Sequence, residues 1–405
     1  MADLRLSWAQ HALQHARLIA NASPGRGSAT SAEAQAAEYV RQQLSGLAIP
    51  DIRQQSFQGQ RSIWLFLALA FGFALMGHAA FWLLRTILDG FIAWGLALPG
   101  FALSAFLLWR KFTFRDFPLR TSLPHGSSQN VIAVIPPANH SSERQPVQVV
   151  LVSHLDSHRA VLWFASDLLV RVYAFLSPVA IYTILLAPLL YGLSELARLP
   201  ALAWLMLPVI PLHFLAWFTG VTADLGPYSP GANDNAAAVG TLLALAERLQ
   251  EEPLQNTEVW LAFTGCEETG CDGMRMLLSE YMPALRGALF IDFELVGIGD
   301  NLAYLQREGI LRPRRIPGDV ENLIKETGAE FDIHPLDAAN FGAFTEMGAV
   351  WEAGCKGVCL LVHPSASPRL LEWHRLTDTA ARLQPQALEL AHAIAWKLLQ
   401  KVDAL

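Results

Sequence analysis

The chain has 405 residues and a formal net charge of −7. It is 53% hydrophobic and only 16% charged, with a mean hydropathy of +0.30. Because soluble globular domains contain roughly 25% charged residues, this composition argues against an ordinary soluble enzyme. The acidic balance, with a pI near 5.9, gives no reason to expect nucleic acid as a partner. The length allows one large domain or two moderate ones with an ample core.

Residues 1–60 are predicted to be soluble. They contain two amphipathic helices, LSWAQHALQHARLIA and SAEAQAAEYVRQQLSGL, and then DIRQQSFQG, a strand expected at a sheet edge. The first thirty residues lack the apolar stretch of a signal peptide, so we expect none to be cleaved. Residues 61–111 contain two runs, IWLFLALAFGFALMGHAAFWLL and FIAWGLALPGFALSAFLLW, close to the roughly 20 apolar residues that cross a bilayer. Tryptophans near their ends favour a transmembrane hairpin over two buried core helices.

A second apolar block follows two predicted buried strands. Residues 112–160 contain QNVIAVI and PVQVVLVSH, which are typical of such strands. Residues 161–220 contain VYAFLSPVAIYTILLAPLLYGL and ALAWLMLPVIPLHFLAWFTG, interpreted as a second hairpin of two spans. Each hairpin returns the chain to the side that it left. The soluble segments 1–60, 112–160 and 221–405 can therefore form one domain on one face of a membrane.

The basic residues near the spans predict the orientation of that domain. In the far-side turns only Arg85 and Arg198 are basic. The residues on the domain side are Arg53, Arg61, Arg110, Lys111, Arg115, Arg120, Arg159 and Arg171. The positive-inside rule therefore predicts four spans in the inner (cytoplasmic) membrane with the soluble domain in the cytoplasm.

Residues 221–405 alternate between helical and strand patterns up to the last helix, QALELAHAIAWKLL. This alternation predicts an α/β sandwich with a mainly parallel sheet. Cys266/Cys271 and Cys355/Cys359 form two close pairs without CxxC zinc spacing. We expect reduced, partly buried thiols, with one local disulfide as the alternative.

Carboxylates and histidines recur where predicted strands end, which is how an open α/β sheet builds a metal site. His154 follows the apolar run VVLV, and Asp156 lies two residues later on the same side of an extended chain. The spacing suggests a carboxylate that orients a histidine ligand, although a solvated loop explains an isolated HxD better. Asp234, in GANDNAAAV, is either a metal ligand or the N-cap of the following helix.

Two pairs of carboxylates are harder to explain without a cation. Glu267 and Glu268 follow the buried strand VWLAFTG, where adjacent carboxylates repel each other. One could bind a metal while the other stays free as a base. Asp292 and Glu294, in LFIDFELVG, share one face of an apolar strand, which is costly without a counter-charge. A hydrolytic site with two divalent metals needs a bridging carboxylate, further nitrogen and oxygen ligands, and a free base.

Histidines supply the remaining candidates. His374, in EWHRLTDT, could be the last ligand with Asp378 as the group that orients it, although in isolation a surface histidine is the better explanation. His363, in LVHPSASP, competes for the same role. No single motif predicts the site; their joint occurrence in this order does.

Five motifs, HLDS, GANDNA, CEETG, the strand ending in ELVG, and WHRLTDT, resemble metallopeptidase family twenty-eight, the co-catalytic zinc aminopeptidases. The resemblance covers the three soluble segments but not the two hairpins, which look like insertions. It implies a zinc-exopeptidase-like three-layer α/β/α sandwich with a mixed, mainly parallel sheet, and two zinc ions per chain. Carried over by position, it implies that His154 and Glu294 bind one ion, Glu268 and His374 bind the other, and Asp234 bridges the two.

The same resemblance implies that Glu267 is the general base and that Asp156 orients His154. The zinc ions would polarise the scissile carbonyl and activate a water whose proton Glu267 accepts. One departure is that the family usually has Asp where this chain has Glu294. Asp292, one pleat away, is the fallback ligand.

The leading hypothesis is a membrane-bound zinc exopeptidase, most simply an aminopeptidase, with peptides as substrates, the lipid bilayer as a partner and possible homo-oligomers. A single-zinc glutaminyl-cyclase-like acyltransferase and an inactive membrane scaffold with a peptidase-like domain are the alternatives. A transporter is disfavoured because His78 and His213 are predicted to be isolated within their spans.

The role of the hairpins follows from their place in the chain. The second hairpin connects the HLDS and GANDNA motifs, so its near-membrane ends are expected close to the active site. We hypothesise that the substrate reaches the site from the membrane side.

Overall fold

A computed structural model describes residues 7–139, 146–338, 343–365 and 371–405. One sheet and its helices are built from elements before, between and after the two apolar blocks. The strands are β1 (Asp51–Gln60), β2 (His125–Ile135), β3 (Val147–His154), β4 (Thr257–Thr264), β5 (Leu289–Glu294), β6 (Asn301–Glu308), β7 (Arg314–Arg315), β8 (His334–Asp337) and β9 (Lys356–His363).

Along the chain, helices of the sheet-containing part come before and after those of the apolar blocks. They are α1 (Trp8–Ala22), α2 (Ser31–Gly46), α3 (Ile63–Leu84), α4 (Gly90–Phe112), α5 (Asp167–Leu196), α6 (Pro200–Trp204), α7 (Val209–Thr222), α8 (Ala237–Glu251), α9 (Asp272–Leu285), α10 (Gly318–Gly328), α11 (Glu346–Glu352) and α12 (Pro385–Asp403).

The sheet is mixed, with the order β1-β2-β4-β3-β5-β9-β6-β7 and β8 paired with β6. Its four central strands, β4, β3, β5 and β9, run parallel. The pairs β1–β2, β2–β4, β6–β9 and β6–β7 are antiparallel. The strand expected at an edge, β1, lies there. The mixed α/β fold with a parallel centre agrees with the predicted fold class.

Helices cover both faces of the sheet, which explains the apolar composition of its strands. Helices α8 and α12 pack against β3 and β4, with α1 outside them, and α9 and α11 contact β1, β2, β5 and β9. Val149 to Val152 of β3 are each 0% exposed. A parallel strand covered on both sides has no solvent face, so its sequence is continuously apolar and does not alternate. The four cysteines are free and buried.

Four helical stretches are long and apolar enough to cross a membrane, judged by length and composition. They are Ile63–Leu84, Gly90–Phe112, Asp167–Leu196 and Pro200–Leu225. At 1.5 Å per residue, the first measures about 33 Å, close to the hydrocarbon thickness of a bilayer. The last is interrupted between α6 and α7. Many large apolar side chains on these helices are exposed, such as Leu83, Phe175 and Leu189. Contact with lipid would be more favourable for these side chains than contact with water.

The four stretches pack into one bundle, and this corrects one expectation. His78 of α3 and His213 of α7 are not isolated, because His78 Nε2 lies 3.1 Å from His213 Nδ1. His78 Nδ1 also lies 2.7 Å from the hydroxyl of Tyr191 in α5. The two histidines are 135 residues apart, so only the packing of α3 against α7 shows that they meet. The contact satisfies polar groups that would be costly alone in an apolar bundle.

Candidate metal centre

The site lies where three parallel strands end. His154 is the last residue of β3, and its neighbour in register on β4 is Thr264. Glu267 and Glu268 follow β4 after a short turn, and Glu294 ends β5. Because β3, β4 and β5 run parallel and side by side, their carboxyl ends bring these side chains to one edge of the sheet.

Asp234 lies between the two predicted histidine ligands and contacts both. His154 Nε2 is 3.3 Å from Asp234 Oδ1 and 3.3 Å from Glu294 Oε2. On the other side, His374 Nε2 is 3.3 Å from Asp234 Oδ2 and 3.2 Å from Glu268 Oε2. The structure therefore brings all five predicted ligands together, with one oxygen of Asp234 facing each histidine. No side-chain capping bond is present at the start of α8, so the N-cap alternative for Asp234 is not observed.

These separations fit divalent metal ions. Around a tetrahedral zinc ion with ligand bonds of about 2.0–2.1 Å, neighbouring ligand atoms lie about 3.3 Å apart. His154, Asp234 and Glu294 form one group able to hold an ion, and His158, Glu268 and His374 form another. All of these side chains are buried. Glu268 Oε1 and Glu294 Oε1 have no hydrogen-bond partner within the described parts of the chain, which is costly without a cation.

Glu267, the predicted base, lies beside these groups. It lines the same cavity as His154, Glu268 and Glu294. Burial raises the pKa of the Glu267 carboxyl well above its usual range, and the nearby Glu294 and Glu268 carboxylates raise it further. Its Oε1 is 3.5 Å from the Cys271 thiol.

Asp156 acts mainly on the backbone of the neighbouring loop. Its Oδ1 and Oδ2 accept hydrogen bonds from the main-chain N–H groups of Glu267 (3.1 Å) and Glu268 (3.2 Å). His154 Nδ1 is 3.4 Å from Asp156 Oδ1 but 3.1 Å from the Asp156 carbonyl oxygen. A carbonyl only accepts, so Nδ1 carries the proton and Nε2 keeps its lone pair toward Asp234. Asp156 therefore positions both His154 and the two glutamates.

Asp378 does not orient His374, contrary to expectation. Its carboxylate accepts hydrogen bonds from the main-chain N–H groups of Asn233 (2.7 Å) and Asp234 (3.1 Å). His374 Nδ1 has no hydrogen-bond partner among the residues that the structure describes. Residues 371–379 form turns and His374 has φ +55°, so the four-residue separation is not that of a helical turn. Asp378 therefore fixes the loop that carries the shared carboxylate.

The structure also distinguishes the competing candidates. Glu294, and not Asp292, lies next to His154. Asp292 is fully buried beside Cys359 and Thr345, and burial raises its pKa to about 7. His363 ends β9 but contacts His334, with 2.6 Å between their Nε2 atoms. The geometry thus favours Glu294 and His374 as ligands over these two alternatives.

His158 is a site residue that the sequence reasoning missed. Its ring stacks on that of His374, with centroids 3.8 Å apart and an interplanar angle of 19°. Its Nδ1 is 2.8 Å from the carbonyl oxygen of Arg159, which leaves Nε2 as the nitrogen with a lone pair. Burial lowers the pKa of His158 well below its usual range. The signal was available, since HLDSH places a second histidine four residues after His154.

Arg26 was also missed, because it lies in a loop far from every motif. It is 0% exposed, and its guanidinium donates to the carbonyl oxygens of Leu155 (2.9 Å), Pro230 (3.0 Å) and Gly231 (2.7 Å). Burial lowers the Arg26 pKa to about 10, while nearby carboxylates oppose this change. The side chain ties the loop after His154 to the loop before Asp234 and places a positive charge behind the acidic cluster.

Residues 216–399 match the family described as Peptidase family M28. The matched range includes Asp234, Glu267, Glu268, Glu294 and His374, and it begins after His154. No curated protein sequence is significantly similar to the chain.

Solved structures resemble the chain over nearly its whole length. A zinc aminopeptidase, BSAP, from Bacillus subtilis has 13% identity and a TM-score of 0.55, covering 97% of this chain and 94% of that one. A Zn-dependent exopeptidase from Parabacteroides distasonis has 13% identity, a TM-score of 0.55 and 97% coverage of both chains. An Acidobacteriales bacterium glutaminyl cyclase has 12% identity and a TM-score of 0.56, covering 100% of this chain and 99% of that one. The chain therefore has a zinc-exopeptidase-like fold, which aminopeptidases and glutaminyl cyclases both use.

Proposed function

We propose that this chain is a membrane-bound, two-zinc exopeptidase of the aminopeptidase type, formed by one peptidase domain that two transmembrane hairpins interrupt. The observation that carries the proposal is Asp234, whose two oxygens lie 3.3 Å from two different histidines. A carboxylate shared in this way is the defining part of a site for two metal ions. The match to a peptidase family supports hydrolysis as the reaction.

Each residue of the site then has a role. His154 and Glu294 would hold one ion, Glu268 and His374 would hold the other, and Asp234 would be a ligand shared by both. Zinc at these positions would supply Lewis acidity and lower the pKa of a water molecule. Glu267 accepts the proton of the attacking water and returns it to the leaving amine.

Three further residues, which are not predicted ligands, hold the loops of this site in place. Asp156 holds the main chain of both glutamates, Asp378 holds that of Asp234, and Arg26 connects the loops that carry His154 and Asp234. Because these groups are fixed before a substrate binds, little reorganisation is needed during the reaction.

A glutaminyl-cyclase-like acyl transfer is the second candidate, since glutaminyl cyclases share the fold over nearly the full chain. This reaction forms a ring from an N-terminal glutamine and releases ammonia, and a single zinc ion suffices. An inactive scaffold is less well supported, because every predicted ligand and the base are present in one buried cluster.

Zinc content and product identity separate the candidates. Protein purified in detergent is analysed for zinc per chain and incubated with a dipeptide panel and with a peptide that begins with glutamine. We expect about two zinc ions per chain and release of free N-terminal amino acids. One zinc ion with a cyclised product would support acyl transfer, and neither product would favour the scaffold.

Membrane insertion and a cytoplasmic active site are part of the proposal, supported by the four apolar stretches and the distribution of arginine and lysine. Thr86→Cys, in the turn after α3, should react in intact cells with a maleimide that cannot cross membranes. Ser45→Cys, at the exposed end of α2, should react only after the membrane is opened. The native cysteines are buried and give little background. The opposite labelling pattern would reverse the orientation, and equal labelling would argue against insertion.

A further inference from the structure

A cavity of about 240 Å³ opens directly onto the candidate metal centre. Side chains of the centre, including Asp234 and Glu267, form part of its wall. The rest of the wall is chiefly apolar and comes largely from α3, α5 and α7, with Leu67, Leu176 and Leu215 as examples. The surface next to the metal site is therefore built by the helices that are apolar enough to cross a membrane.

The first turns of the second hairpin are fixed to the loop that carries His374. Arg375 donates to the carbonyl oxygen of Phe164 (2.8 Å) and to Asp167 Oδ1 (2.6 Å), at the start of α5. The Phe164 ring meets His374 edge to face, with centroids 4.6 Å apart. The near-membrane end of this hairpin thus lies at the site, as its place in the chain predicted. The apolar wall and the metal ligands form one unit.

Strand β6 also lines the cavity and adds a polar group to it. The Tyr182 hydroxyl of α5 donates to the carbonyl oxygen of Ile310 (2.8 Å), which follows this strand. Glu308, at the end of β6, is 1% exposed and lines the cavity. Its Oε2 accepts from the N–H and hydroxyl of Thr345, while Oε1 has no hydrogen-bond partner among the described residues. A buried carboxylate oxygen in the cavity wall can accept a hydrogen bond from a bound ligand.

We propose that this cavity binds the N-terminal residues of strongly apolar peptides, and that their side chains lie between α3, α5 and α7. The inference rests on the proposed peptidase function and names its substrate class. The α-ammonium group of such a peptide would lie near the carboxylates that line the cavity but are not predicted ligands, Glu267 and Glu308. An apolar chain without a cationic group would leave Glu308 Oε1 without a partner. Apolar burial on one side and charge complementarity on the other fit one molecule, an apolar peptide with a free amino terminus.

Filling the cavity from α5 tests the proposal. The tripeptides Leu-Leu-Leu and Ala-Ala-Ala are compared as substrates of the full chain in phospholipid nanodiscs. For the wild-type protein we expect kcat/KM to be at least about tenfold higher for the leucine peptide. Ala180→Phe places a ring in the cavity and should reduce that ratio to about one. Val179→Phe, at the preceding and 37% exposed position, should leave the ratio unchanged.

A second pair of variants tests the same cavity in case Ala180→Phe does not fold. Leu176 lines the cavity, whereas Phe175 beside it is 71% exposed. Leu176→Ser should lower the leucine preference several-fold, and Phe175→Ser should not. Thermal melting of all four variants shows which have folded normally, and only those are interpreted.

The outcomes for this inference and for the proposed function differ. Equal turnover of both peptides, or a leucine preference that survives Ala180→Phe and Leu176→Ser, would overturn the apolar-peptide site and leave the peptidase function intact. No turnover of either peptide would count against the peptidase function. In that case calorimetric titration of the wild-type protein with both peptides decides the site. Binding of Leu-Leu-Leu that Ala180→Phe abolishes would support it, and absence of binding would overturn it.

Discussion

Glu267→Gln is expected to lower kcat by a factor of about 10²–10⁴ on every peptide that the wild-type protein hydrolyses, because the general base is lost. Glutamine has nearly the same shape as glutamate, so the loop held by Asp156 should keep its structure. Zinc content should stay at the wild-type value, since Glu267 is the predicted base and not a ligand. Steady-state kinetics and elemental analysis of the same preparation measure both quantities.

A variant of the adjacent carboxylate, Glu268, is the most informative comparison for Glu267→Gln. Glu268→Gln removes a predicted ligand next to His374, so it should lose zinc as well as activity. Glu389→Gln, an exposed change on α12, should affect neither. If Glu267→Gln lost zinc while Glu268→Gln kept it, the assignment of base and ligand would have to be exchanged. Normal activity in Glu267→Gln would rule out this residue as the base.

Asp234→Asn is expected to remove both zinc ions and to abolish turnover. One oxygen of Asp234 faces His154 and the other faces His374, each at 3.3 Å, and an amide replaces one of these charged oxygens by a donor group. Loss of groups that only support a ligand typically weakens metal binding by about 10–100-fold, so loss of a shared ligand should exceed that. Zinc retained after dialysis against a weak chelator gives the measurement.

Variants of the ligands predicted to bind only one ion show whether Asp234 binds both zinc ions. Glu294→Gln and Glu268→Gln should each leave about one zinc ion per chain. Each of these carboxylates lies next to only one of the two histidine ligands. Asp319→Asn, which makes the same chemical change at an exposed carboxylate paired with Lys356, should leave both ions. If Asp234→Asn kept one tightly bound ion, the site would be mononuclear, and cyclisation would become the better proposal.

The fold and the main groups of the site were predictable because they depend on local patterns. Strands such as β3 are continuously apolar between polar ends, so their positions follow from hydrophobic runs. His154 and Glu267, the first histidine and carboxylate side chains after these runs, were therefore expected at the sheet edge. The same alternation put Asp292 and Glu294 on one strand face without choosing between them. The four apolar stretches were predictable from length and composition alone.

Several contacts could not be predicted because they join residues that are distant in sequence or lie in irregular loops. Arg26 reaches Gly231 across 205 positions, and the sequence gives no sign of that contact. His374, Cys266 and Leu295 adopt positive φ values of +55° to +56°. Such conformations are rare without glycine and cost of order 1–3 kcal/mol, so only the surrounding structure can impose them. His374 and Asp378 lie in such an irregular loop, and the contact expected between them does not form.

For this protein, the amino-acid sequence by itself determined which side chains could bind metal ions, where strands end and which helices are apolar enough for a bilayer. Each of these properties depends on residue chemistry and short-range periodicity. The tertiary structure decided that Asp234 lies between His154 and His374, that Glu294 and not Asp292 faces the site, and that α3, α5 and α7 line the cavity beside it. Those facts depend on how separate segments pack, and packing is fixed only when the whole chain excludes solvent together.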